Sequence, residues 1–300
     1  MSYNITIAIS PNCLMSVSAI SEADRILSNK KGFFMSDIKA VIFDLDGTLY
    51  NYNKADDAAC RALGRYVSQH FGMDPGTIKQ EIRECWDIQN DRIGFICGAT
   101  HNRLIRSQVI CERNGWPVFP HALNMAKTYW GAFLEGMVLE DGIRELLAAL
   151  KKTDVDIALG SNMTSYIQYL KLMQIGLEDC FDHITLSEET GIEKPEKEFY
   201  EMCARKSYLR FDASGMYEKG ASAIEDISEF MSSCLFIGDT PKMDYFGPIR
   251  AGMCACLYLA GNPLPEGVDR INAIENYKSC VEQDGVRLGG YYLPFYRKGV

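Results

Sequence analysis

Five short apolar runs, separated by stretches with helical spacing, set the strongest limit on what this chain can fold into. The runs are "KAVIFD" (39–44), "VDIALGS" (155–161), "HITLS" (183–187), "CLFIGD" (234–239) and "CACLYL" (254–259). Each is rich in β-branched, aromatic or other apolar residues and ends at small or polar ones, the signature of a strand buried on both faces. Between them lie "DGIRELLAALKK" (141–152), "TSYIQYLKLMQ" (164–174), "PEKEFYEMCARK" (195–206) and the region Ile224 to Met231, all with helical periodicity. Strand alternating with helix predicts an α/β layer fold with a mostly parallel sheet of five or more strands. In such a sheet the functional loops gather at the carboxyl ends of the strands. The 300 residues, 47% of them hydrophobic, suffice for one large domain or two modest ones.

Residues 52–137 break the alternation. They carry helical patterns such as "DDAACRALGRYVSQHF" (56–71) and "TIKQEIRECWDIQ" (77–89), and no strand-like run of similar strength. This predicts an inserted helical domain, in whose core Trp86, Trp116 and Trp130 are expected. The organisation expected is an N-terminal extension (1–37), an α/β core (38–51 and 138–283), the helical insertion (52–137) and a C-terminal tail (284–300).

Composition narrows the partners. A net charge of −9 gives no electrostatic footprint for a nucleic-acid polymer or an anionic membrane, and no apolar run reaches the ~18 residues of a membrane span. The eleven cysteines are odd in number and sit mostly within apolar runs, so they read as reduced packing residues. A soluble cytoplasmic protein, monomer or homodimer, is the expectation.

The chemistry is expected at the strand ends. Asp44 and Asp46, two apart on an extended chain, point the same way, and Gly47 then permits a sharp bend. Carboxylates so close repel unless a cation or shared proton compensates them. "GDTPKMD" (238–244) adds Asp239 and Asp244 after another buried strand. Four carboxylates at one sheet edge suit a hard, oxygen-binding divalent cation. Lys194, ahead of Pro195 in a first-turn position, and Ser161 with Asn162, ahead of a capping-box pattern "SYIQ" (165–168), supply donors for phosphate oxygens.

"DLDGT" (44–48), "SN" (161–162), "KP" (194–195) and "GDTPKMD", in this order and spacing over residues 38–283, resemble the four signatures of the haloacid dehalogenase superfamily. "AGM" (251–253) and the surroundings of Lys194 add to the match, and the insertion resembles the helical cap of the superfamily's first subclass. The resemblance implies a Rossmann-like, three-layer α/β/α core. It implies Asp44 as nucleophile forming an aspartyl-phosphate, and Asp46 as general acid and then general base, its backbone carbonyl binding magnesium. Asp239 would be a direct magnesium ligand, with Asp244 acting through water or by bonding to groups that hold the metal. Ser161 and Asn162 would bind the phosphoryl group, and Lys194 would offset its charge.

An aspartate at position 46 favours phosphoryl chemistry over dehalogenation, because an alcohol leaving from phosphorus needs a proton and a halide does not. The reading is therefore a magnesium-dependent phosphomonoester hydrolase acting on a small phosphorylated metabolite, of the nucleoside monophosphate or sugar phosphate class. The alternatives are a phosphomutase of the same superfamily and a non-catalytic binding module that retains the fold. For the leaving group, Asn102, Arg103 and Arg106 in "ATHNRLIRSQ" are the candidates, with Asn102 and Arg106 expected to share a helix face. The stretch 213–233 and the aromatic, basic ending "GGYYLPFYRKGV" have no assigned role beyond a possible dimer contact or hinge cover.

Overall fold

A computed structural model describes residues 38–209 and 227–295. The expected extension 1–37, most of the 213–233 stretch and the last five residues of the tail lie outside them. All five expected strands form: β1 (Ala40–Phe43), β2 (Asp156–Ser161), β3 (His183–Leu186), β4 (Cys234–Gly238) and β5 (Cys254–Tyr258). A sixth, β6 (Ala273–Ile274), is too short to stand out in sequence. The sheet order is β3-β2-β1-β4-β5-β6 and every pairing is parallel. β1 and β4 are buried along their whole length, as their unbroken apolar sequences require.

The chain runs from β1 outward through β2 to β3, then returns to the other side of β1 with β4. The loops after β1 and β4 therefore diverge from neighbouring strands, which opens a crevice at their carboxyl ends. Both aspartate pairs follow these two strands.

Between β1 and β2 come α1 (Tyr52–Phe71), α2 (Ile78–Ile93), the single turn α3 (Gly98–His101), α4 (Arg103–Arg113), α5 (His121–Glu135) and α6 (Ile143–Leu150). Asn51 caps α1 through its side chain, which accepts from the Lys54 amide at 3.0 Å, and Gly72 ends it in the left-handed conformation. The interior of this helical segment is continuous with the core on one face of the sheet: Ala59, Leu63, Met125 and Phe133 belong to the same buried cluster as Val41, Phe43 and Leu235. Of the tryptophans, Trp116 stacks on Phe71 at 4.0 Å between ring centres, Trp130 packs on Phe133, and Trp86 is exposed.

The two connections to the helical segment run side by side. The Asn51 amide donates to the Val138 carbonyl and the Glu140 amide to the Leu49 carbonyl, with Tyr50 bridged to Leu139.

Downstream come α7 (Ser165–Ile175), the single turn α8 (Ser187–Thr190), α9 (Lys197–Tyr208), α10 (Ser228–Met231), a π-helical turn (Pro241–Phe246) and α11 (Gly247–Ala251). The tail does more than trail from the core. Gly285–Leu288 (β7) and Tyr291–Pro294 (β8) form an antiparallel hairpin whose Val286, Leu288 and Leu293 are buried in the main apolar cluster. The core thus extends past the expected limit at 283, and the "GG" at 289–290 is the hairpin's turn.

Phe133 is fully buried and touches the rings of Tyr50, Tyr52, Tyr129 and Trp130. Phe133→Ala is expected to cost about 3–5 kcal/mol in urea unfolding, with the loss shared by the helical segment and the sheet because one cluster serves both.

Candidate active site

Asp44 follows β1 directly, and its amide donates to the Ile237 carbonyl of β4 at 2.8 Å, which fixes it at the crevice. The chain then bends at Gly47, whose φ of +85° suits glycine. A Cβ there would lie 2.5 Å from Asp239 Oδ2, so glycine also permits the Asp239 loop to approach. Thr48 Oγ1 lies 3.3 Å from Asp44 Oδ2 and 3.5 Å from Asp239 Oδ1, a donor for either. The fully buried Tyr277 hydroxyl donates to the Thr48 carbonyl and buttresses the loop from below.

Lys194 ties the buried carboxylates together. Its ammonium donates to Asp44 Oδ1 and to Asp244 Oδ1, both at 2.7 Å, and all three side chains are buried. The other oxygen of Asp244 accepts from the Thr240 amide at 2.9 Å, within the π-helical turn. Gly238 lets Asp244 tuck against the end of β4, where a Cβ would come within 2.4 Å of it. Burial, against the pull of Lys194 and with the neighbouring carboxylates, pushes the Asp44 carboxyl up from 3.8 to about 7. Burial and Asp244 push Asp239 up to about 6. Oxygens of Asp44, Asp239 and Asp244 lie within 4.8 Å of one another.

This donor set fits magnesium. Three hard oxygens converge where two carboxyls resist ionisation without a further cation. Asp44 and Asp239 have oxygens to offer. Both oxygens of Asp244 already accept a hydrogen bond, from Lys194 and from the Thr240 amide, which favours contact with a metal through water.

Ser161 and Asn162 stand beside this cluster in different roles. Ser161, last in β2 and buried, accepts from Gln168 Nε2 at 2.8 Å. The Asn162 carboxamide is spent on the backbone of Lys194: its Oδ1 accepts from the Lys194 amide at 2.9 Å and its Nδ2 donates to the Lys194 carbonyl at 3.2 Å. Asn162 thus positions the lysine's loop, with the second Nδ2 hydrogen left over as a donor.

The capping box expected at 165–168 does not form. Thr164 is the cap residue, the Ser165 amide donates to Glu188 at 2.7 Å, and Gln168 turns to Ser161 and Asp46. Pro195 likewise lies before the helix and not in its first turn, because α9 begins at Lys197 after Glu196.

Asp46 is held apart from Asp44's partners. Lys171 Nζ lies 2.7 and 2.9 Å from its two oxygens, Gln168 Nε2 donates at 3.2 Å, and the Tyr50 hydroxyl donates as well. Burial opposes ionisation of Asp46, but the charge and hydrogen bonds of Lys171, with those of Tyr50 and Gln168, hold its carboxyl below the usual range. Tyr50, Gln168 and Lys171 escape a motif-based reading. The signal that marks two of them is an inverted helix: α7 buries Gln168 and Lys171 and exposes Tyr166, Tyr169 and Met173.

Of the three leaving-group candidates only Arg103 turns toward this region. Asn102 caps α4, its Oδ1 accepting from Leu104 and Ile105, so it does not share a face with Arg106. Arg106 is buried within the helical segment, donating to Gln89 Oε1 at 3.1 Å and the Thr100 carbonyl at 2.7 Å. Burial, with Arg103 nearby, pulls its guanidinium down to about 9.

The haloacid dehalogenase-like hydrolase family matches residues 38–252. The chain belongs to this family. A ribulose-1,5-bisphosphate 5-phosphatase of Halopiger xanaduensis is 37% identical over 161 residues, 52% of this chain and 66% of that protein, so the match spans just under two thirds of that relative. The pyrimidine 5'-nucleotidase YjjG of Escherichia coli is 29% identical over 76% of this chain and 89% of its own length. Among solved structures, YfnB of Bacillus subtilis, with magnesium bound, superposes with a TM-score of 0.55 at 21% identity, covering 81% of this chain and 97% of YfnB. The chain is a hydrolase of this family, on the α/β fold that its sequence alternation predicts.

An acid whose folded value is raised keeps its proton longer in the folded chain than in the unfolded one. Stability is therefore lost as pH rises from 3.8 to about 7 at Asp44. In metal-free buffer, Asp44→Asn is expected to unfold at higher urea than wild type at pH 8, with the difference vanishing toward pH 4. Magnesium added at pH 8 is expected to raise the midpoint of wild type and to do so less for the variant.

Proposed function

We propose that the chain is a magnesium-dependent phosphomonoester hydrolase working through an aspartyl-phosphate on Asp44. The observation that carries this reading is the convergence of Asp44, Asp239 and Asp244 around Lys194, with a second carboxylate, Asp46, held on a separate set of partners. Asp44 Oδ2 bears only the long contact to Thr48, which leaves it available to attack phosphorus. Lys194 stays bound to Oδ1 and balances charge as an anionic substrate approaches an anionic nucleophile.

Asp44, Asp239 and the Asp46 carbonyl would hold magnesium, which would neutralise charge on the phosphoryl oxygens. The Ser161 hydroxyl donates to those oxygens, and Asn162 keeps Lys194 in place; the Met163 and Ser165 amides are already given to Ser187 Oγ and Glu188. Asp46 would donate a proton to the leaving oxygen and later take one from water; Lys171 holds it ionised as found, so it first has to exchange that partner and take up a proton from solvent.

The helical segment 52–137 acts as the cap over this crevice. Phosphorylated sugars and nucleoside monophosphates are the substrate class, supported by the phosphatase and nucleotidase activities named for the relatives.

The test is release of inorganic phosphate from a panel of sugar phosphates, nucleotides and a small aryl ester, with magnesium or with chelator. Turnover is expected to require magnesium and to fall about 10³-fold or more in Asp44→Asn. Turnover that survives the substitution would overturn the covalent mechanism, and turnover indifferent to chelator would overturn the metal's part in it.

A further inference from the structure

Lys171 has no task in the chemistry described so far, yet it is fully buried, which a lysine rarely is without one. Its ammonium stands 5.3 Å from the ring centre of Phe133, 5.6 Å from Trp130 and 5.9 Å from Tyr50. Trp130 is shared with a second cation: the Arg103 guanidinium lies 5.7 Å from that ring and 5.1 Å from Tyr129. The two are close enough for Arg103 to act electrostatically against Lys171.

Arg103 is under-used. Its hydrogen bonds to the Tyr52 hydroxyl and the His101 carbonyl are both 3.4 Å, the Asp56 carboxylate acts on it from beyond the Tyr129 hydroxyl and not as a direct ion pair, and its Nε is out of contact with water and has no partner. Two cations thus converge beside Asp46, and of the two Lys171 pairs directly with that carboxylate.

We propose that Lys171 and Arg103 form a receptor for a second anionic group on the substrate, and that this group draws Lys171 away from Asp46 and so frees Asp46 to meet the leaving oxygen. The inference rests on the phosphohydrolase reading and names its substrate class: a phosphomonoester whose leaving group carries a further phosphate or carboxylate.

The reason lies in what each exchange leaves behind. As found, both Asp46 oxygens are occupied by Lys171, one also by Tyr50 and the other by Gln168. If Asp46 leaves with nothing in return, a buried ammonium is stranded, which is costly. If an incoming anion replaces it, one buried ion pair is exchanged for another, and Arg103 gains a direct ion pair in place of the attraction of Asp56 beyond Tyr129. Substrates with a second anion are therefore favoured both in binding and in release of Asp46.

The experiment compares a sugar bisphosphate, the matching monophosphate and a phosphorylated hydroxy acid. Wild type is expected to prefer the bisphosphate over the monophosphate by ~10²-fold in kcat/KM. In Lys171→Met that ratio is expected to fall at least about tenfold, because only the bisphosphate loses a partner. Arg103→Gln serves if Lys171→Met does not fold, and is expected to erode the same ratio mainly through KM. The hydroxy acid reads whether a carboxylate serves as the second anion, and equal preference for it supports the receptor with either anion.

Calorimetric binding of the same compounds to Asp44→Asn gives a readout without turnover, with the bisphosphate expected to bind at least about tenfold tighter than the monophosphate. Equal kcat/KM for the mono- and bis-anionic esters in wild type, or equal losses for both in the variants, overturns the receptor while leaving the phosphohydrolase standing. Preferential binding without phosphate release from any ester overturns the phosphohydrolase and leaves the receptor standing.

Discussion

The site depends on one buried ammonium. Lys194 sits between Asp44 and Asp244, all three out of water, and without it two carboxylates at the end of the central strands would face each other unscreened. Burying a charge is tolerable only when it is paired and hydrogen-bonded. Much of the local architecture serves that condition: Asn162 holds the lysine's backbone, Gly238 lets Asp244 come close, and the Thr240 amide takes up the carboxylate's other oxygen. Even so, burial leaves Asp44 and Asp239 reluctant to ionise. The crevice is therefore under-compensated by its own residues and receptive to a divalent cation.

A contrast in partners separates the two aspartates that stand two residues apart. Asp44 shares a lysine with another carboxylate and is pushed up, whereas Asp46 has Lys171 to itself, with Tyr50 and Gln168 besides, and is pulled down. The same residue type in one loop thus acquires two electrostatic characters because different strands and helices deliver the neighbours. For the proposed reaction that division is the reverse of the working one: a cation has to ionise Asp44, and Asp46 has to leave Lys171 before it can carry a proton.

The sheet was legible because each strand is a local pattern: "AVIF" and "CLFIG" need no distant information to read as buried, and the carboxylates that follow them are placed by topology once the sheet is parallel. What the sequence concealed are pairings across long separations. Lys171 meets Asp46 from 125 residues away, and a lysine in a helix ordinarily reads as a solvated side chain. Asn162 reads as a ligand donor by position, yet its carboxamide faces a backbone 32 residues on. Spacing alone predicts a shared face for Asn102 and Arg106, but the helix starts between them, so one caps and the other is buried. The hairpin past residue 283 was hidden because its strands are four residues each and contain glycine and proline.

The paired connections between β1 and the helical segment have a mechanical meaning. Leu49–Asn51 and Val138–Glu140 are hydrogen-bonded to each other, so the two tethers behave as one narrow band instead of two independent strings. A band of that kind restricts the segment to flexing about a single axis and resists shear and twist. Tyr50 lies inside it and also holds the Asp46 carboxyl. A displacement of the band thereby moves one of the donors that hold Asp46, a linkage only four residues long in sequence.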